Sequence, residues 1–579
     1  MADGSKSDYN GGNPIVTGGS AVNPMLPYGV TAMRAAVWFA VLSMAAGLCA
    51  QEAAAPRHTG VPQDWSQGHI VFSRDALARH PELIYREPRI LYQAMQRWQA
   101  PNSNVPYGAD PLPASVNDSG QRDWSLPLGS RVIYHMYPAK FSFDPAAAPD
   151  CLNDYVVFGM VATGTPGTSG GHANLVALNN LYVNSNGTGF CTGFTAPTVL
   201  FAYNITTFTG GKISTSPVLS EDGTKIAFVE SVSGTYARAI FHVLTWTRGQ
   251  GAIKNAAVPG SMTSLTFSPT SNCTSSSPWI DYATDVVYVG SDKGNVYKIT
   301  PVFTGMPTLA GGNWPVTVHT NFHLTPPVLD AGRSVLMVGS SDGVLYKIDT
   351  TTGVLASSSL RVGKGTSSGI VAAPIVDGTS GTTFVVSAND GTSAVLVEAD
   401  TASMTQLAKA RIGRGSSGGT VLNLYDPTLS NDYGNDPVTG VIRLCGTGVA
   451  DTSPWQYAFG FTVPGTQPIL DRSPSFSRQL LTSLNTRCTG WTEFFNPNVG
   501  VGGTDFFFFG LTQDCTGTGQ AGGCVAETTG NTRITTATVN GGPSGIIVDN
   551  YSTALGASSI YLTSENVGTA YKFTQNGLK

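Results

Sequence analysis

The chain has 579 residues, a net charge of −5 and only 12% charged residues. That length exceeds one ordinary core, so several domains or one large repeat architecture is expected. A 41% hydrophobic content with 68 Gly and 35 Pro points to a turn-rich β protein, and the lack of any Lys/Arg block argues against nucleic-acid binding.

Residues 1–50 read as a leader. Arg34 precedes the apolar run Ala35–Leu48, which ends at Cys49-Ala50 and small residues. Fourteen residues rise only about 21 Å as a helix, short of a ~30 Å hydrocarbon core, so the run is expected to be a cleaved signal peptide rather than an anchor. Cleavage near Ala50 removes Cys49, and Met33 is an alternative start. An exported protein results, periplasmic, extracellular or surface-held, with no membrane span after cleavage.

Residues 51–148 form a separate extension. Arg74–Ala100 is rich in Arg, Leu, Ala and Gln, and Pro81 and Pro88 split it into short helices. Residues 101–130 read as a linker. The extension is expected to pack on the outside of the main domain or to link it to the cell envelope.

From residue 149 to 579 the sequence repeats. Ser276–Thr300, Thr325–Gly353 and Ala373–Asp400 share one pattern, and Ser216–Ser231 matches its first half. Their prolines, Pro217, Pro278, Pro327 and Pro374, are spaced by 61, 49 and 47 residues. Val286–Val289, Val335–Val338 and Ile226–Val229 are unbroken apolar runs, as a strand buried on both faces requires. Asp and Gly between runs suit tight hairpins. Weaker units cover 150–206, 419–463, 492–539 and 544–574. The sum is an all-β, single β-propeller of about eight four-stranded blades, with seven as the alternative. Closure is expected to join the 150s region to the last strands.

The phrases VVYVGSDKGNVYKIT (from Val286) and VLMVGSSDGVLYKIDTTTG (from Val335) resemble the repeats of quinoprotein-like (PQQ-type) propellers, of the uncharacterised exported bacterial kind. That resemblance implies a fold more than a function, since such repeats serve quinone-dependent dehydrogenases and outer-membrane assembly scaffolds alike. The enzymatic members hold the quinone between an adjacent Cys-Cys ring and a Trp, with calcium bound by Glu, Asn and Asp. This chain has no adjacent cysteine pair, and its Trp279 and Trp314 lack an identifiable partner. No cofactor is expected.

Export makes disulfides reasonable. Cys515–Cys524, flanking a flexible turn, is the first expected pair; Cys151–Cys191 and Cys445–Cys488 follow, leaving Cys273 free. RVGKGTSSG (Arg361–Gly369) recurs as RIGRGSSGG (Arg411–Gly419), and its Lys364 and Arg414 are candidate anion-binding loops on one face of the disc. No P-loop motif accompanies them. Three Gly-x-Ser-x-Gly matches (167–171, 365–369, 415–419) precede no helix-forming sequence, unlike a hydrolase elbow. His319 and His323 lie in a β-branched segment ending in Pro-Pro, which argues against a helical metal pair. Asp426, Asn431, Asp432, Asn435 and Asp436 offer oxygen ligands for calcium without EF-hand spacing. The expected function is a non-catalytic binding or scaffold propeller, monomeric, for a protein or glycan. The alternative is a secreted propeller enzyme, an oxidoreductase or a hydrolase/lyase.

Overall fold

The computed structural model describes residues 60–574 except 80–86, 99–120, 145–147, 185–186, 188, 270–271, 365–368, 417–423, 464, 466, 497–502, 516–521, 532–533, 550–553 and 555. The leader over 1–50, the 101–120 part of the linker and the centres of two Gly-x-Ser-x-Gly matches lie outside the described residues. Among the described residues no helix is long and apolar enough to cross a membrane.

Among the described residues eight sheets of four or five strands succeed one another, with a two-stranded ribbon, Phe461–Thr462 and Ile469–Leu470, beside the sixth, and the fold is an all-β propeller of eight blades. Their first strands are Ala139–Ser142, Val218–Leu219, Trp279–Asp281, Val328–Asp330, Ile375–Asp377, Thr428–Leu429, Thr492–Asn496 and Ile547–Asp549. First strands of neighbouring blades approach one another, and that of blade 8 meets that of blade 1, so they form the inner ring. Later strands step outward in each blade. We call the face where first strands begin the upper face.

The apolar runs become second strands. Val286–Gly290 is buried along its whole length because blades cover it on both sides. The third strand, Asn295–Thr300, alternates in exposure. Between them the turn glycines are obligatory. Gly294 has φ +80°, and a Cβ there would sit 1.4 Å from the His319 carbonyl oxygen. Gly343, with φ +87°, has the same place in blade 4, against the backbone of Gly363. Core side chains lie between blades: Ile375 and Phe384 of blade 5 share one cluster with Leu429, Leu444 and Phe459 of blade 6.

Closure differs from the sequence expectation. The outer strand of blade 8 is Gln121–Pro127, which pairs with Thr569–Thr574, while residues 150–206 stay within blade 1. The boundary at 149 is therefore too late, since the first strand of blade 1 already begins at Ala139. A buried Lys572–Asp123 ion pair at 2.6 Å ties this strand in. Lys140 and Asp549, 2.7 Å apart and buried, join the inner strands of blades 1 and 8. Alternating Trp124, Leu126 and Leu128 is too short a pattern to mark this strand against the polar residues before it.

The extension is not on the outside either. Val61–Gln63 pairs antiparallel with Ser142–Lys140 of blade 1, and Ile70–Val71 pairs parallel with Val376–Asp377 of blade 5. Blades 1 and 5 are four apart in a ring of eight, hence opposite. The segment thus crosses the channel, turning through a short 3-10 helix, Trp65–Gly68. It satisfies inner-strand edges that would otherwise be unpaired. Gln63 donates to the Val548 carbonyl of blade 8, and the Trp65 ring N–H donates to the Pro278 carbonyl of blade 3. Helices Arg74–Arg79 and Pro88–Trp98 follow, Pro88 opening the second as its fixed φ allows. The buried Arg89 guanidinium lies 4.0 Å over Trp279 and donates to Ser66 and Glu87. We call residues 60–79 and 87–98 the plug.

Candidate functional site at the centre of the upper face

The shared prolines occupy one structural position. Pro138, Pro217, Pro278, Pro327, Pro374 and Pro427 each immediately precede the first strand of blades 1 to 6. A strand's first residue tolerates a missing N–H, and proline extends the residue before it. Those preceding residues are Tyr137, Ser216, Ser277, Pro326, Ala373 and Asp426, and all six line one cavity of about 450 Å³. The small ones leave the space open. Trp65 of the plug also borders it, with Tyr134, His135, His323 and Tyr425. The result is a bowl at the channel mouth, closed below by the plug.

One long connection builds one side of the wall, with Ile133, Tyr134, His135 and Tyr137. Residues 128–138 run from the outer strand of blade 8 to the inner strand of blade 1 and bridge several blades. Leu128 donates to the Gly568 carbonyl, Val132 to that of Glu565, and Tyr137 to the Ser216 hydroxyl. The Tyr134 ring packs 5.3 Å from Tyr425 and carries the Arg487 guanidinium at 4.1 Å. Arg487 pairs with Glu565 at 2.9 Å.

The polar groups divide into two kinds. The Asp426 carboxylate accepts from the Tyr137 hydroxyl at 2.8 Å and lies 3.2 Å from His69 Nε2 of the plug. Burial pushes its pKa upward, but the His69 and Tyr137 contacts win and hold it below the usual carboxylate value. Burial lowers the His135 pKa despite nearby Asp426, and its Nε2 has no hydrogen-bond partner among the described residues. Burial lifts Glu565 to about 7 against the pull of Arg487. The bowl therefore offers aromatic faces, a neutral imidazole and the Asp426 carboxylate, while Glu565 lies behind the wall, bound to Arg487.

The other singled-out residues are dispersed. Three disulfides are formed: Cys151–Cys191, Cys445–Cys488 and Cys515–Cys524, with Cα–Cα distances of 5.7, 6.1 and 5.8 Å. The Cys273 thiol is free and donates to Asp292; burial and that carboxylate lift its pKa to about 11. His323 pairs with the same Asp292 at 2.9 Å, whereas His319 bonds the Thr320 carbonyl, so the two histidines part. Asp426 faces the bowl, while Asn431, Asp432 and Asn435 belong to a short helix, Asn431–Asn435, beyond the inner strand of blade 6. The five oxygen-bearing residues do not converge, and no cluster of three metal-type ligands occurs among the described residues. Trp279 packs the plug, and Trp314 packs on Tyr288. Gly167–Gly171 is a loop leading to a strand, not to a helix.

The repeated loops are explained by backbone needs. Arg361 donates to the Gly363 carbonyl and Arg411 to that of Gly413, while Val362 and Ile412 are buried. The loops flank one hairpin of blade 5: Lys364 N–H donates to the Asn389 carbonyl, and the Asn389 amide donates to Ser416. Lys364 lines an open concavity with His319, Phe322, Asp342, Arg361 and Asn389. Arg414 turns away and donates to the Ala450 carbonyl. The two cations share a face but not a pocket.

Sequence reasoning missed Tyr134, His135, Tyr137, Tyr425 and the plug tip. One signal was present: Pro138 and Pro427 follow Tyr and Asp in the register of the other four prolines.

No protein-family model matches the chain, and no curated protein matches it. Solved structures similar to it are propellers. BamB from Moraxella catarrhalis is 12% identical, with a TM-score of 0.43 over 79% of this chain and 100% of that one. The Dos1 propeller is 12% identical, with a TM-score of 0.48 over 78% and 95%. The WD40 domain of Toxoplasma gondii coronin is 9% identical, with a TM-score of 0.37 over 61% and 80%.

Proposed function

We propose that the chain is an exported, monomeric binding propeller whose bowl is non-catalytic: it presents its upper face to a protein or glycan and receives one group of that partner in the bowl. The observation that carries this reading is the bowl itself. Aromatic rings and small residues line it, and the plug closes it from below, so a ligand enters from one face only. Concave sites with apolar walls and few polar groups bind by shape and stacking. Most polar groups are already engaged with one another, which favours holding a partner over transforming it. Export is supported by three disulfides, which persist in oxidising compartments. In this reading the leader is removed, and Lys364 and Arg361 add an anion-attracting rim.

Arrays of bacterial surface glycans and of extended peptides test it, probed with the disulfide-bonded protein and with Ala373→Phe, which fills the bowl. One ligand class retained by the protein and released by the variant is the expected result. Retention of nothing, or equal retention by both proteins, sinks the reading.

A further inference from the structure

Blade 2 carries a hydrogen-bonded row of a serine, a histidine and a glutamate across three adjacent strands. Glu230 lies in Lys225–Val232, His242 in Arg238–Thr245 and Ser264 in the outermost strand, Met262–Ser268. The Ser264 hydroxyl is 2.8 Å from His242 Nδ1, and His242 Nε2 is 3.0 Å from Glu230. Glu230 and His242 are fully buried, while Ser264 is exposed on the rim.

The donors around Glu230 decide where the protons sit. Its carboxylate accepts from the Thr207 N–H and hydroxyl and from the Phe208 N–H, as well as from His242. Burial alone would raise its pKa, yet these bonds lower it, so it is an acceptor only. His242 Nε2 must then carry the ring proton. In the neutral ring Nδ1 is left as an acceptor, and the Ser264 hydroxyl is the donor that fills it. Gly211 packs so closely that a Cβ there would overlap the Glu230 carboxylate, which fixes the acid in place. The Phe228 ring, 5.3 Å away, holds the imidazole from one side.

We propose that Ser264 is an activated nucleophile on the rim of blade 2, able to accept an acyl or phosphonyl group from small ester-type electrophiles. Ser264 Oγ attacks the electrophilic carbon or phosphorus, and its proton passes to His242 Nδ1. The bond from that atom to the leaving group breaks, and the alkoxide of an ester, or the fluoride of a fluorophosphonate, departs with the proton from His242. The serine ester formed is released by water, which adds its hydroxyl to the acyl carbon while Oγ regains a proton. Glu230 is a positioning residue, holding the tautomer and steadying the transient imidazolium. The site is independent of the bowl.

A fluorophosphonate probe on the folded protein, read by peptide mass, tests the assignment. An adduct on Ser264, absent in Ser264→Ala, is expected, together with a burst of about one equivalent of nitrophenol from p-nitrophenyl acetate. Glu230→Gln is expected to slow labelling at least tenfold at an unchanged melting temperature, which a merely structural role would not do. His242→Gln serves as a second variant where it folds. The idea is overturned by no adduct on Ser264, by equal labelling of Ser264 and other exposed serines, or by an unchanged rate in a folded Glu230→Gln protein.

Discussion

Blades 3 and 4 and the plug are both largely buried, yet they are held by different forces. In the blades apolar strands meet apolar strands, and every turn repeats the same chemistry. In the plug the backbone borrows edges from blades 1 and 5, and its side chains reach polar groups one at a time. Gln63 Oε1, Asp64 Oδ2 and Gln67 Oε1 are buried without a partner among the described residues. Each such atom costs free energy that a packed blade does not lose. The difference teaches that the ring is the stable body and the plug an insert, less well satisfied and fixed by a few anchors.

The largest expected effect breaks the ring at its seam. Lys140→Met leaves Asp549 buried and unpaired, at a cost of about 3–5 kcal/mol in denaturant unfolding, and Lys140→Met with Asp549→Leu should recover most of it. A double variant as weak as the single one would show that the seam depends on charge. Next come the disulfides. The Cys445–Cys488 bond closes a separation of 43 residues and Cys515–Cys524 one of 9. On loop entropy their removal costs about 4 and about 2.5 kcal/mol, so the longer loop should lose more stability; the reverse order would locate the stabilisation elsewhere.

A further variant concerns the insert. Trp65→Ala should cost about 3 kcal/mol locally, with amides of Val61–Val71 exchanging at least tenfold faster while Val286–Gly290 keeps its protection. Equal acceleration in the blade would erase the distinction drawn above.

The smallest effects are in pH, with opposite signs. Glu398, inside blade 5, is lifted to about 7 by burial. Its folded form keeps a proton that the unfolded chain releases near pH 4, so stability falls as pH rises from about 4 through 7, by roughly 1–3 kcal/mol. Glu398→Gln should flatten that slope. Asp426, beside the plug tip, is lowered, so its contribution is present above the ordinary carboxylate value and is lost as pH falls through its lower folded value. Asp426→Asn should remove the acid-side loss, read from denaturant unfolding across the acid range. A single shared pH profile for the two variants would contradict the assignment.

The blades were legible because their signals are local. A run such as Val335–Val338, an Asp-Gly turn and a proline before the inner strand recur where the same neighbours recur, so periodicity alone locates them. The bowl was only half legible. Pro138 and Pro427 stood in register, but nothing in Arg131–Phe141 says that the connection doubles back across the ring. His319 and His323 have the spacing of a helical metal pair, but the β-branched residues and Pro-Pro argued against a helix, and the two rings do have different partners.

Composition and repeat spacing thus determined the class of fold, the approximate number of blades and the chemistry of their turns, since each depends on residues close in sequence. Tertiary structure alone decided that Gln121–Pro127 closes the ring, that the segment from Val61 to Val71 crosses the channel, and that Ser264 meets His242 and Glu230. Those contacts join segments whose pairing is set by which edges and buried charges remain unsatisfied once the ring has formed, and no stretch of local sequence records that.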